Sequence, residues 1–319
     1  MLRPDQHVVS RVVLDQFAEP LGAKGERKLR ILNRNRIQSK PTQLGPAGCA
    51  KFRHYVRFAS ESSETHWGLT ETRIPDALSA AEQGTFFANP RHAATIRDVM
   101  VLHLVRSIPA LINSDRCWRQ AHDVFITERL RQDRRLLSSL HRARFRRAPE
   151  GKEGLRFMAE DLIAPFAAQV DRGIYFRVSV VERFQRFQRM LADQPVQLRQ
   201  PTEGELLISD APMLALRNGD PSSGTLDGAG LATCDEAVLP LGPRLLAVLG
   251  AGDGYALMGQ EEVDRFNAAQ VRATADYIYM RPGSGLETFV RSAVTEHWPN
   301  RIPAHLRQWD VPATFARNP

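Results

Sequence analysis

Cysteine is scarce in this chain. Cys49, Cys117 and Cys234 are the only three among 319 residues, too few and too scattered for a disulfide framework or a thiolate zinc site. Long apolar runs are also missing. The longest helical apolar stretch, Val99 to Ile112, is interrupted by His103, Arg106 and Pro109, and it falls short of the roughly 18 residues that a membrane span needs. Met1 to His7 is polar and lacks the apolar core of a secretory signal. A cytoplasmic protein with no membrane partner is therefore expected. The chain shows no internal repeat and no low-complexity tract. It also has no His-Glu-x-x-His, no Walker loop, no Gly-x-Ser-x-Gly and no Cys-x-x-Cys, so the common hydrolase, NTPase and thiol signatures are excluded.

Arginine is plentiful, and it is clustered. The formal net charge is +7, and between Arg129 and Arg147 eight arginines face a single acid, Asp133. The eight are Arg129, Arg131, Arg134, Arg135, Arg142, Arg144, Arg146 and Arg147. A guanidinium fork grips phosphate in a bidentate way, which points to nucleic acid as a partner. A solvated helix face is the bland reading of the same run.

Hydrophobic period and turn residues give the architecture. Val9, Val12, Val13 and Phe17 recur at helical spacing, and residues 28–33 alternate as a strand. Residues 39–50, with two prolines and two glycines, read as loop, and 52–58 as a second strand. Helices are expected from Pro75 to about Gln83 and from an Asn89-Pro90 start to a kink or stop at Pro109. A further helix of roughly 118–147 carries the arginines, and two more span about 155–170 and 179–191. Short strands then fall at 205–208, 237–241, 245–249 and 277–280, with helices at 261–276 and 286–297 and a Gly/Ser/Asp-rich loop at 217–230. The expected fold is α+β, with a helix-rich N-terminal and central part packed on a small mixed C-terminal sheet. The texture changes near residue 200, so parts 1–200 and 201–319 are expected, or one continuous domain. Gly250 to Gly254 reads as a connecting turn rather than a phosphate loop, because no helix begins on it.

The sharpest local feature is Glu205-Leu-Leu-Ile-Ser-Asp-Ala-Pro212. An apolar run stops at Ser209-Asp210, and Pro212 keeps a strand from continuing. Such an end delivers a hydroxyl and a carboxylate to a sheet rim.

Several segments in order resemble the bacterial family catalogued as domain of unknown function 4238. They are residues 7–18, opening on His7 and closing on Phe17-Ala18, and 49–55. Asp76 to Glu82 looks like the family's acidic helix, and Leu102 to Arg106 with Pro109 like its Arg-Thr-Pro region. Leu207 to Pro212 resembles its Thr-Ser-Asp-x-Pro motif and Val238 to Pro243 its Leu-Pro-Leu-Ser-Pro segment. Asn267, in the helix before Tyr277, matches a family Asn. The Asn expected near Cys49 is absent, and Asp76 stands where a Glu is usual. The resemblance implies no established activity. It does imply an accessory or mobile-element protein of bacteria, with phage defence or toxicity as the setting.

The motif residues His7, Arg11, Glu82, His103, Arg106, Ser209, Asp210 and Asn267 are expected to converge. Asp210 and Glu82 with His7 or His103 would hold Mg²⁺ or Mn²⁺ and activate water against a phosphodiester, and Arg106 would neutralise developing charge. With the arginine run gripping phosphates, the expected function is a nuclease-like effector. The alternative is a noncatalytic interaction or sensor protein, docking on a protein partner, whose polar cluster is structural. Asp210 would then cap a turn, and His103 would be a satisfied core histidine. Arg134 or Arg135 precedes His141 at a spacing similar to the Arg-x(4–6)-His of HEPN-type ribonucleases, although no small polar residue follows the Arg.

Overall fold

A computed structural model describes residues 5–22, 25–53, 67–171, 173–217, 234–294 and 301–307. The fold is α+β, and contacts divide the chain elsewhere than at residue 200. Among the described residues, one compact unit comprises those of 5–53, 67–112 and 180–307, and the other those of 113–179.

The first unit is built on two larger sheets. Its N-terminal part supplies β1 (Asp5–His7), α1 (Arg11–Gln16), β2 (Glu19–Leu21), β3 (Glu26–Asn33), β4 (Thr42–Leu44) and β5 (Lys51–Arg53). β1 and β5 pair with each other. Two helices follow, α2 (Ile74–Glu82) and α3 (Pro90–Val105). The Asn89 side chain accepts the Arg91 N–H at 3.0 Å, which caps α3 as its sequence expects. α3 ends four residues before Pro109 rather than kinking at it. Ser107 Oγ accepts the Ala110 N–H, and the next helix, α4 (Ile108–Gln132), takes the proline into its first turn.

Beyond the second unit, α7 (Ile174–Leu191) leads into β6 (Val196–Pro201), β7 (Ile208–Ser209), β8 (Leu214–Leu216), β9 (Glu236–Gly242), β10 (Leu245–Leu249) and β11 (Gly254–Met258). α8 (Gln260–Ala273), β12 (Tyr277–Met280) and α9 (Leu286–Ala293) close the described core. One sheet has the order β11-β6-β10-β9-β8, and the other has β2-β3-β12-β7 with β4 also on β3. The N-terminal strands therefore complete the C-terminal sheet, Ile278 lying between Leu32 and Ser209. Residues 250–253 form a connecting turn that carries the chain across β6, since β11 pairs with β6 and not with β10. A Cβ at Gly250 would lie 2.5 Å from the Asp235 carbonyl, and its φ is +102°, so only glycine fits this crossing.

α8 lies between the two sheets and explains its own sequence. Val263, Phe266, Ala269 and Ala273 pack with Leu214, Val238 and Leu246 of the first sheet. Val271 packs with Leu32, Ile278 and Met280 of the second. Asn267, Gln270 and Thr274, spaced three and four apart, form a fully buried polar stripe between these faces.

The second unit is helical, with the distal part of α4, α5 (Arg134–Phe145) and α6 (Gly151–Asp171). Its core joins Ile126, Leu137, Leu155, Met158 and Ala159. The single arginine helix expected over 118–147 is two helices. Asp133 leaves helical geometry at φ −109° and ψ 23°, and its carboxylate turns back to Arg129 at 2.5 Å. α5 ends before Arg146, whose backbone is left-handed at φ +59°. Residues 54–58 of the expected second strand, 218–230 of the expected loop and 295–297 of the last helix lie outside the described residues.

Candidate functional site

The Ser209-Asp210 pair is buried. Ser209 is 0% exposed and Asp210 3%. β7 is only two residues long, shorter than the strand expected from 205, because helix α8 replaces a strand partner there. Asn267 Oδ1 accepts the Leu207 N–H at 3.0 Å, and Asn267 Nδ2 donates to the Glu205 carbonyl at 2.8 Å. One turn on, Gln270 Oε1 accepts Ser209 Oγ–H at 2.9 Å, and Gln270 Nε2 donates to the Pro212 carbonyl at 2.8 Å. The two carboxamides thus read out residues 205–212 as a β-strand would.

Asp210 braces the start of β12. Its Oδ1 accepts the Ala275 N–H at 2.8 Å, and its Oδ2 accepts those of Asp276 and Tyr277 at 2.7 and 2.9 Å. Burial pushes the Asp210 carboxyl up to about 7, against these three donors, which favour the charged form.

A second network centres on Arg106, which is 6% exposed. Its guanidinium donates to Glu71 Oε1 at 3.2 Å and to the His7 carbonyl, and it lies over the Trp67 ring at 4.8 Å. His103, three residues earlier, has both nitrogens engaged. Its Nδ1 donates to the Val99 carbonyl at 2.8 Å, so Nε2 is the acceptor that takes the Ser10 N–H at 3.0 Å and holds the entry to α1. Burial lowers the His103 imidazole to about 4, which keeps it neutral. Burial also lowers His7, whose ring bonds the Ala47 backbone. His7 Nε2 and Ser10 Oγ are buried with no hydrogen-bond partner among the described residues. Tyr279 joins the two networks. Burial and the Asp210 carboxylate raise its hydroxyl well above the ordinary value. That hydroxyl accepts the Ala50 N–H at 3.0 Å, and Ala50 in turn accepts the Val8 N–H.

His7, His103 and Arg106 are thus brought together, as are Ser209, Asp210 and Asn267. Glu82 stands apart, exposed at the last turn of α2, and Arg11 is exposed on α1. Glu71, not Glu82, is the carboxylate beside Arg106, and the short helical segment 67–71 that carries it has little apolar periodicity to mark it in the sequence. His92 bonds Asp76 Oδ2 at 3.1 Å and the Phe86 carbonyl at 3.0 Å. Among the described residues no three His, Cys, Asp or Glu side chains form a group able to hold a metal ion. The expected set does not fit Mg²⁺ or Mn²⁺, because the Asp210 oxygens and the His103 nitrogens already have backbone partners.

The two buried titrating groups give stability opposite pH dependences. Asp210 binds its proton more tightly folded than unfolded, so its contribution is complete below about pH 4 and falls as pH rises through about 7. His103 binds its proton less tightly folded, so its contribution is complete above about pH 6.5 and lost as pH falls through about 4. In urea titrations, Asp210→Asn should therefore cost more at pH 4.5 than at pH 7, and His103→Gln more at pH 7 than at pH 4.5. Parallel pH dependences for the two variants would refute these protonation states.

In the second unit all eight arginines are exposed. Arg129, Arg131, Arg144 and Arg147 pair with Asp133, Glu128, Asp161 and Glu150. Arg134, Arg135, Arg142 and Arg146 have no acidic partner among the described residues. Residues 113–179 carry 14 Lys and Arg against 9 Asp and Glu, which is five of the chain's seven net positive charges. Aromatic rings lie among them. Phe145, 39% exposed, meets Phe157, 47% exposed, edge-on at 5.8 Å, and Arg144 lies over Phe145 at 5.5 Å. His141 is buried, and its Nδ1 bonds the Arg147 carbonyl at 3.0 Å, an arrangement that ties down the end of α5.

No helix among the described residues is long and apolar enough to cross a membrane. A family model described as "Protein of unknown function (DUF4238)" matches residues 5–284. No curated protein and no solved structure matches the chain.

Proposed function

The chain belongs to the DUF4238 family, and from that premise we propose that it binds single-stranded nucleic acid through residues 113–179, while the buried polar residues of the motifs hold the first unit together. The observation that carries this reading is the stretch 134–147. It holds six arginines and no acid, four of them free of acidic partners among the described residues, next to the exposed rings of Phe145 and Phe157. Cations that track a phosphate backbone beside rings on which bases stack are what single strands require.

The reading stops at binding. Cleavage would depend on Asp210 and His103, whose acceptor atoms are engaged by backbone N–H groups. Incubated with Mg²⁺ or Mn²⁺, the protein should retain labelled single strands on a filter and leave them uncut. Failure to bind at low salt sinks the reading. Cleavage that Asp210→Asn abolishes without unfolding the protein would restore the nuclease reading.

A protein partner is the second reading, in the setting of phage defence or toxicity. Eight of the fifteen exposed large apolar side chains of the described residues lie in 113–179, Val124, Leu136 and Leu162 among them. Clustered apolar exposure marks interaction surfaces. Replacing Leu136 and Leu162 by serine should leave nucleic-acid affinity within about twofold. A loss of more than tenfold in the folded variant would count against phosphate and ring contacts as the source of binding.

A further inference from the structure

We propose that the first unit holds a separate small-molecule site, and that its ligand is a nucleoside monophosphate. A cavity of about 410 Å³ opens beside β3, β4 and β12, within the range of pockets that enclose one small organic ligand. Three cations line it, Arg36, Lys40 and Lys51. Each is exposed, and none has an acidic partner among the described residues. No Asp or Glu is among the lining residues, so the site is electropositive and suited to an anion of more than one charge, such as a phosphate monoester.

The remaining walls ask for more than phosphate. Ile31 and Leu44 are apolar, and Tyr277, a residue 41% exposed, is part of the lining. These are surfaces for a flat base, stacked on Tyr277. The volume is several times that of inorganic phosphate, whereas the pocket dimensions suit one nucleotide rather than a strand. Cys49 lines the pocket too, but burial pushes its thiol up to about 11. It is therefore neutral, and the site is one of binding rather than of thiolate chemistry.

This pocket also gives the Ser-Asp-x-Pro motif a purpose. Asp210 fixes the N–H groups of Asp276 and Tyr277, and Tyr277 is the residue whose ring faces the ligand. Asp210 is thus a positioning residue for the site. It touches no ligand itself.

Calorimetric titration of the full chain tests the proposal, with the four common ribonucleoside monophosphates, adenosine and inorganic phosphate as probes. At least one monophosphate should bind at least tenfold tighter than adenosine and tenfold tighter than phosphate. Lys51→Glu and Arg36→Glu, both surface changes, should each weaken it at least tenfold. Tyr277→Ala should weaken the nucleotide and leave phosphate binding unchanged. The combined Arg134, Arg135, Arg142 and Arg146→Gln variant should bind the nucleotide as wild type does, which separates this site from the nucleic-acid surface. No monophosphate binding at millimolar ligand, equal binding of phosphate, or indifference to Lys51→Glu and Arg36→Glu would each overturn the proposal.

Discussion

Replacing Asp210 by alanine is expected to cost about 3 kcal/mol of stability or more, the largest loss of any single motif residue. The substitution leaves three backbone N–H groups without acceptors in a site that is 3% exposed, and each stranded donor costs about 1–3 kcal/mol. Asparagine has nearly the same shape but offers an N–H₂ where Oδ2 accepts two donors, so it also destabilises, by less. Asn267→Ala should cost about 2 kcal/mol, since two hydrogen bonds to residues 205 and 207 are lost at a fully buried position. Glu82→Ala, on an exposed helix end, should change stability by no more than about 0.5 kcal/mol. Denaturant midpoints measured side by side give the order Asp210, Asn267, Glu82. A folded Asp210→Ala protein with the wild-type midpoint would mean that the carboxylate is not a brace.

Local patterns in the sequence carried much of the fold. The alternation in β3, the Asn89-Pro90 start of α3 and the apolar run of β10 each depend on residues within a few positions of one another, and each appears where the pattern puts it. The importance of Ser209-Asp210 was legible as well, but its role was not. The donors that Asp210 serves lie 65 to 67 residues further along, and a strand-like run cannot reveal that a helix side chain, Asn267, pairs with it. Arg106 shows the same limit. Its partner Glu71 is 35 residues away, in a helical segment with little apolar periodicity, and the nearer acid on α2, Glu82, faces solvent. The arginine run was legible as charge and not as shape. The break at Asp133, where the backbone leaves helical geometry, has no Gly or Pro to announce it. The pocket beside β12 left no mark in the sequence, for its cations come from the β3–β4 connection and from β5, and its ring from a strand some 230 residues later.

Single-strand affinity is expected to fall by well over tenfold when Arg134, Arg135, Arg142 and Arg146 are all changed to glutamine. These four exposed guanidinium groups have no acidic partners among the described residues, so their removal takes charge from the surface without stranding a buried ion. Four phosphate contacts on a single strand correspond to a log–log salt slope of about −3. Between about 50 mM and about 200 mM salt that slope alone weakens wild-type binding about fifty-fold. Phe145→Ala should weaken binding by about 1–3 kcal/mol with the slope unchanged, because stacking carries no counterions. The paired residues Arg129 and Arg131 should matter less, their charge being offset by Asp133 and Glu128.

Anisotropy of a labelled oligouridylate, titrated with wild type and with the four-arginine variant over a salt series, decides whether this surface binds nucleic acid. The expected result is a wild-type slope of about −3 or steeper that becomes shallower by about 3 in the variant. A folded variant with the wild-type affinity and slope, or a wild-type protein that does not bind at low salt, would contradict it.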